Sequence, residues 1–441
     1  MFSLESLVPR TDCAPPLPRQ GEEIVQRPRS ASGVWTGMAG VAGGITAMVL
    51  LRGWLEPSWL KATAVLALSA GAMLLVDGLA YRTWGRPTTG LAHQALRPLD
   101  FRRLALKLAG FWLTIGILAA AYTVLPPYAA AFFAPSRAVA LWCLPMLAVV
   151  SPFYIAYVDR RLREPNDAYA QLGALLVGRR PDDWGSLTLH ARGWAVKGFF
   201  LPLMFVYVAN GLDALWGQPL LPDWANFQQV YERLFDFMFL VDVLLAAVAY
   251  TLTLRVFDTQ MRSVEPTAGG WIVCLACYPP FNGLTGQYFP FDQDQLYWGE
   301  VFAPVPVVYA AWGCAILILV LIYAMSTAAF GLRFSNLTNR GIITSGPYRW
   351  SKHPAYISKN ISWWLISVPF IAGAGWLQAV QSCLLLGGVN LVYFFRARTE
   401  ERHLSLDPTY RDYCEFIARD GLWARLKRLA ARPKVPFSPE G

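Results

Sequence analysis

The stretch Gly341-Ile-Ile-Thr-Ser-Gly-Pro-Tyr-Arg-Trp-Ser-Lys-His-Pro-Ala-Tyr356 is polar and turn-rich, and it runs straight into an apolar segment. Gly346-Pro347 makes a tight turn and fixes the local backbone. Pro354 suits the first turn of a helix, where its missing N–H costs nothing. His353 then stands near the N-cap, beside unpaired backbone N–H groups at the positive end of the helix dipole. Such a helix mouth holds anions, and Arg349 and Lys352 add positive charge to it. After the next apolar segment comes Arg398-Thr-Glu-Glu401, followed by Tyr410 and Tyr413.

The rest of the chain explains where these polar clusters sit. Of its 441 residues, 55% are hydrophobic and 15% are charged, with a mean hydropathy of +0.36. A soluble domain is about 45–50% apolar and about 25% charged. Apolar runs of about 20 residues span a bilayer core. Ten spans are expected: 33–51, 60–81, 104–125, 138–158, 194–215, 234–256, 268–280, 301–325, 354–371 and 376–395. The seventh is short and ends in Pro279-Pro280, so it reads as broken or re-entrant. With a cytoplasmic N-terminus, 33 of the 38 Lys and Arg fall in inner segments, and only Arg52, Lys61, Arg137 and Arg233 fall in outer ones. That is the positive-inside pattern. The expectation is an all-α polytopic membrane bundle with both termini inside, in a bacterial inner membrane or its equivalent. The 341–356 and 398–413 segments then share the cytoplasmic face.

The net charge of +9 reflects inner loops facing anionic headgroups and gives no case for nucleic-acid binding. Residues 1–32 lack the apolar core of a signal peptide and read as a disordered cytoplasmic tail. Residues 33–300 form an N-terminal bundle, 301–425 a core carrying the motifs, and 426–441 a basic tail. Within 159–193, helical apolar spacing over 167–177 suits a helix on the membrane surface or a solvated connector. The aromatic and acidic loop 281–300 reads as an interfacial belt or a lid. Of the seven cysteines, Cys143, Cys274, Cys277, Cys314 and Cys383 lie in apolar segments and read as small hydrophobes. Asp77, Asp242 and Lys359 lie within spans, where an ionisable group signals either a site or a structural pair.

The two polar clusters suggest a ligand. The helix mouth suits a carboxylate or phosphate, and Glu400-Glu401 can receive an ammonium or a ribose hydroxyl. Tyr348, Trp350, Tyr356, Tyr410 and Tyr413 offer faces for a cation or an adenine. S-adenosylmethionine combines an amino-acid head, a cationic centre and an aromatic base. The plainer alternative is a basic-aromatic belt with surface ion pairs, in which Arg396 and Glu400 satisfy one another along a helix.

The compound pattern Gly-Pro-Tyr-Arg-x-x-Lys-His-Pro-x-Tyr (346–356) and Arg-x-Glu-Glu-x-x-Leu-x-x-x-Pro-x-Tyr-x-x-Tyr (398–413) resembles the isoprenylcysteine carboxyl methyltransferase family over about 305–420. The resemblance implies a membrane methyltransferase using S-adenosylmethionine, with a lipidic or prenyl-like acceptor entering from the bilayer. It implies that His353, Tyr356, Arg398, Glu400 and Glu401 line the cofactor pocket, and that Gly346, Pro347 and Tyr348 shape its loop. Arg349, Pro354, Tyr410 and Tyr413 complete the expected cofactor set. His353, Arg398 and Glu401 are the candidates for chemistry, and Lys359 and Trp363 for contact with the acceptor. The chain departs from the family at Asp407-Pro408, where a Gly is usual before the first tail tyrosine, and at Lys359, where small or apolar residues are usual. Two other readings remain. Membrane sterol-type reductases, which bind NADPH, carry a similar His-Pro element and a Tyr-Cys like Tyr413-Cys414. Asp242 and the broken seventh span would also suit a transporter or lipid-binding scaffold.

Overall fold

The computed structural model describes residues 26–292 and 296–431. The helices are α1 (Val34–Leu50), α2 (Ser58–Leu79), α3 (Phe101–Val124), the single turn α4 (Pro126–Ala129), α5 (Ala134–Arg161), α6 (Ala168–Leu176), α7 (Trp184–Trp216) and α8 (Phe227–Thr251). They continue with α9 (Ala268–Leu275), α10 (Asn282–Tyr288), α11 (Trp298–Phe302), α12 (Pro306–Phe330), α13 (Pro354–Ser367), α14 (Trp376–Leu404), α15 (Pro408–Asp420) and α16 (Leu422–Ala430). The paired strands among the described residues are β1 (Ser263–Val264) and β2 (Thr338–Asn339), which run antiparallel. The fold is the all-α polytopic bundle that the hydropathy predicts.

Local chemistry sets the helix boundaries. Asp100, Asp167, Asp183, Asn226, Thr267 and Asp407 each accept a backbone N–H as N-cap. Prolines open α12, α13 and α15. The most hydrophobic 18-residue stretches of α7 and α8 are 56% buried, against 6% for the α5 region, so α7 and α8 form the centre and α5 a lipid-facing flank. Phe200, Leu203, Leu244 and Leu245 pack there against Met73 of α2 and Ala47 of α1.

Among the described residues, seven helices are long and apolar enough to cross a membrane, fewer than the ten expected spans. The other three spans differ for identifiable reasons. The first is a helix of 17 residues. The ninth, expected over 354–371, ends at Ser367 because Pro369 cannot continue it, leaving 14 residues. The seventh is only 8 residues long as α9. Its chain nevertheless goes from one end of the bundle to the other. β1 pairs with β2 at the motif end, whereas Trp298 of α11 packs on Tyr231 (4.8 Å) and Tyr309 (4.9 Å) at the far end. The traverse is a broken one, made of α9, α10 and α11, and it keeps the alternation of ends intact.

The cations expected outside gather at that far end. Lys61 bonds Asp213 at 3.1 Å, Arg52 reaches the Trp216 carbonyl at 3.2 Å, and Arg233 reaches that of Pro219 at 2.8 Å. Within the expected 159–193 loop, α6 docks across α3, with Gly110 and Gly173 allowing backbone contact; added Cβ atoms would lie 2.1 Å and 1.9 Å from opposing carbonyl oxygens. Asp77 is paired: Arg333 lies 3.4 Å from it and 3.3 Å from Asp258. Asp242 accepts from Tyr323 at 2.7 Å and from Thr327. Of the tail expected to be disordered, residues 28–32 dock on the motif loop: Ala31 N–H donates to the Ile342 carbonyl (2.9 Å) and Thr344 Oγ1 to that of Pro28 (2.8 Å). Residues 1–25, Asp294 and residues 432–441 of the basic tail lie outside the described residues.

Candidate functional site

The motif loop is fixed from beneath before it reaches the site. Arg340 is buried and donates to three carbonyls, of Thr259 (2.7 Å), Phe334 (2.7 Å) and Ala249 (3.2 Å). Asn339 donates to Asp407 at 2.9 Å, joining the loop to the start of α15. Gly346 turns with φ +62°, and a Cβ there would stand 3.0 Å from that of Ala329. Tyr413 Oη donates to the carbonyls of Tyr348 (2.7 Å) and Ser351 (3.1 Å). Tyr348, Tyr410 and Tyr413 are buried together with Ile342 and Ile343. Burial pushes all three hydroxyls above the usual phenol range, so they remain protonated. These tyrosines hold the loop in place and do not line its cavity.

The two halves of the pattern then meet. His353 precedes Pro354 at the mouth of α13, and its Nε2 lies 2.9 Å from Glu401 Oε1 of α14. A carboxylate only accepts, so this nitrogen carries the proton. Lys352 Nζ is 2.6 Å from the same oxygen, and Arg398 approaches the other at 3.6 Å. Tyr356 Oη donates to Glu400 at 2.8 Å and stacks on the His353 ring, with centroids 5.5 Å apart and planes 7° apart. Arg396 turns inward. It donates to Asn336 at 2.7 Å and lies over the rings of Tyr356 (5.1 Å) and Tyr278 (5.5 Å).

His353, Lys352 and Tyr356 line a cavity of about 460 Å³ between α13, α14 and the α15–α16 turn. Its other walls are largely apolar and aromatic, with Ile357, Ile361, Tyr393 and Phe394 along the helices and Trp350 and Trp423 near the loop. Behind Tyr356 lies a polar hollow of about 30 Å³ bounded by Glu265, Asn336, Arg396, Glu400 and His403. Glu265 is 2% exposed, and its Oε2 has no hydrogen-bond partner among the described residues.

Not every expected residue converges here. Arg349 is exposed and packs over Trp350 at 5.2 Å. Lys359 lies 5.2 Å from the Tyr323 ring and 5.4 Å from that of Trp363, and neither Lys359 nor Trp363 lines the cavity. Asn360 and Asn390 line the cavity although no motif names them; an amide within an apolar segment is the signal that points to them. Glu265, Tyr278 and Asn336 carry no such signal, and only tertiary packing brings them to the site.

No curated protein and no solved structure matches the chain. Its C-terminal region, residues 309–406, matches the family model of isoprenylcysteine carboxyl methyltransferases, which supports a membrane methyltransferase.

Proposed function

We propose that the protein transfers a methyl group from S-adenosylmethionine to a lipidic acceptor at the cytoplasmic face of the membrane. The observation that carries this reading is the meeting of His353, Lys352 and Arg398 with Glu401, and of Tyr356 with Glu400, beside one cavity of about 460 Å³. The donor set fits the cofactor. Lys352 and the α13 mouth suit its carboxylate, Glu400 and Glu401 its ammonium or ribose hydroxyls, and Tyr356 and Tyr393 a sulfonium or adenine.

When bound, S-adenosylmethionine supplies an electrophilic methyl group on a positively charged sulfur. The protein contributes position and dryness. Ile357, Ile361 and Phe394 keep the cavity apolar, which favours a displacement that neutralises charge. A carboxylate acceptor needs no base. For a hydroxyl, thiol or amine the candidate bases are His353, through the ring nitrogen that does not face Glu401, a tyrosine or a glutamate. The cavity sits between membrane helices and the surface helices α15 and α16, so a lipid enters from the bilayer while the cofactor enters from the loop side.

The test is calorimetric titration of the full-length protein in nanodiscs with S-adenosylhomocysteine and, separately, NADPH. The wild type binds the former, and Glu401→Ala and His353→Ala lose it while staying monodisperse. Wild-type affinity in both variants would overturn the site, and saturable binding of NADPH alone would replace methyl transfer with the reductase reading.

A further inference from the structure

Asn360 of α13 and Asn390 of α14 meet inside otherwise apolar helices, and both line the cavity. The chain of bonds through them has a fixed direction. The Trp364 indole can only donate, so the Asn390 atom it meets at 2.7 Å is the oxygen. The Asn390 nitrogen donates to the Asn360 oxygen at 2.6 Å. The Asn360 nitrogen donates to the Tyr356 carbonyl at 2.7 Å, a group that can only accept. The indole at one end and the carbonyl at the other thus set the orientation of both amides.

Each amide nitrogen carries two N–H groups and uses one in this chain. Among the described residues, neither second N–H has a protein partner. Joining α13 to α14 needs only the bonds already made. Both asparagines are half-buried in a wall shared with Ile357, Ile361 and Phe394, which offer no acceptor for the two remaining N–H groups.

We propose that Asn360 and Asn390 form a headgroup site: they grip a hydrogen-bond-accepting oxygen of a membrane lipid and discriminate against an ammonium headgroup. That this lipid is the methyl acceptor rests on the methyl-transfer reading; the binding preference does not. Two donors facing one oxygen hold it at the cavity wall beside Tyr356, whose carbonyl anchors the chain. An ammonium there would find only amide oxygens that each already accept one bond, from Trp364 and from Asn390, whereas an oxygen finds two donors still free.

The test uses full-length protein in phosphatidylcholine nanodiscs and native mass spectrometry, with three probes of equal chain length: dodecanoate, dodecyl acetate and dodecylamine. The wild type should retain both oxygen-bearing probes about tenfold over the amine, the scale of one unmet buried donor. Asn390→Leu should remove that preference. Asn360→Asp, of the same size, should shift it toward the amine, so the inference stays testable if the leucine variant fails to fold. Equal retention of all three probes by the wild type, or an unchanged preference in both variants, would overturn the headgroup site. S-adenosylhomocysteine binding by the wild type is scored separately. Its failure with the probe preference intact would remove the methyl-transfer reading and leave the site standing.

Discussion

Two charged clusters lie at the same end of the bundle and differ in how they are closed. In the first, Arg333 reaches Asp77 and Asp258, and all three side chains are 0% exposed. Thr36 and Thr83 add bonds to Asp77 at 3.2 Å and 2.6 Å. In the second, Glu401 gathers Lys352, His353 and Arg398, whose side chains are 26%, 16% and 44% exposed. The first ties α2 and the 255–262 segment to the end of α12; Arg86 and Arg262 reach Asp258 from its rim at 3.9 Å and 3.5 Å, and its three central side chains are closed off by the packing around them. The second borders a cavity. Ionic pairing alone therefore does not mark a site in this protein; what marks it is pairing that stops short of closure, beside a hollow.

Breaking the sealed cluster should have the largest effect. Arg333→Ala takes the paired cation from buried Asp77 and leaves Asp258 only the longer contacts of Arg86 (3.9 Å) and Arg262 (3.5 Å), at a cost of about 3–5 kcal/mol. Size-exclusion chromatography in mild detergent should show loss of monodisperse protein. If Arg333→Ala elutes and melts like the wild type, the contrast fails. Next comes Glu401→Gln, which keeps the shape and removes the charge that Lys352 and His353 meet. Charge-assisted hydrogen bonds are worth about 1.5–3 kcal/mol, so affinity for S-adenosylhomocysteine should fall about 10–100-fold with the melting temperature little changed. A large drop in melting temperature would instead make the Glu401 cluster a second structural clasp.

Tyr413→Phe sharpens the comparison from outside both clusters. It takes a donor from the Tyr348 and Ser351 carbonyls, which should cost about 1 kcal/mol of stability, read as a lower melting temperature. Cofactor affinity should fall only through looser placement of the loop. Arg349→Ala should do least. Its side chain is exposed, and its contact with Trp350 predicts a change within about 0.5 kcal/mol. A tenfold loss of binding in Arg349→Ala would return it to the cofactor set.

Much of this was legible in the chain. Hydropathy gave the membrane bundle, and charge placement grouped Arg52, Lys61 and Arg233 at the end opposite the motifs. The Gly-Pro, His-Pro and Glu-Glu elements pointed to α13 and α14 because each acts through local chemistry: a turn, a helix mouth, a helix face. Pro369 also announced the short ninth helix, although the apolar run continued past it. What stayed hidden depends on register between elements distant in sequence. Tyr410 and Tyr413 could be read as ligand faces because spacing alone does not say that they pack under Tyr348. Asn360 and Asn390 stand thirty positions apart, and their pairing appears only once α13 and α14 are aligned. Glu265 and Tyr278 reach the site from the N-terminal bundle, whose loops carry no motif.

The docking of residues 28–32 beneath the motif loop has a consequence for biosynthesis. Ser30 and Thr344, joined at 3.1 Å, are separated by 314 positions. At about 5–20 residues per second, the ribosome produces the first roughly 15–60 s before the second. The strap at 28–32 must therefore wait while the helices between it and this loop are inserted, and the loop is seated only when two stretches made far apart in time come together.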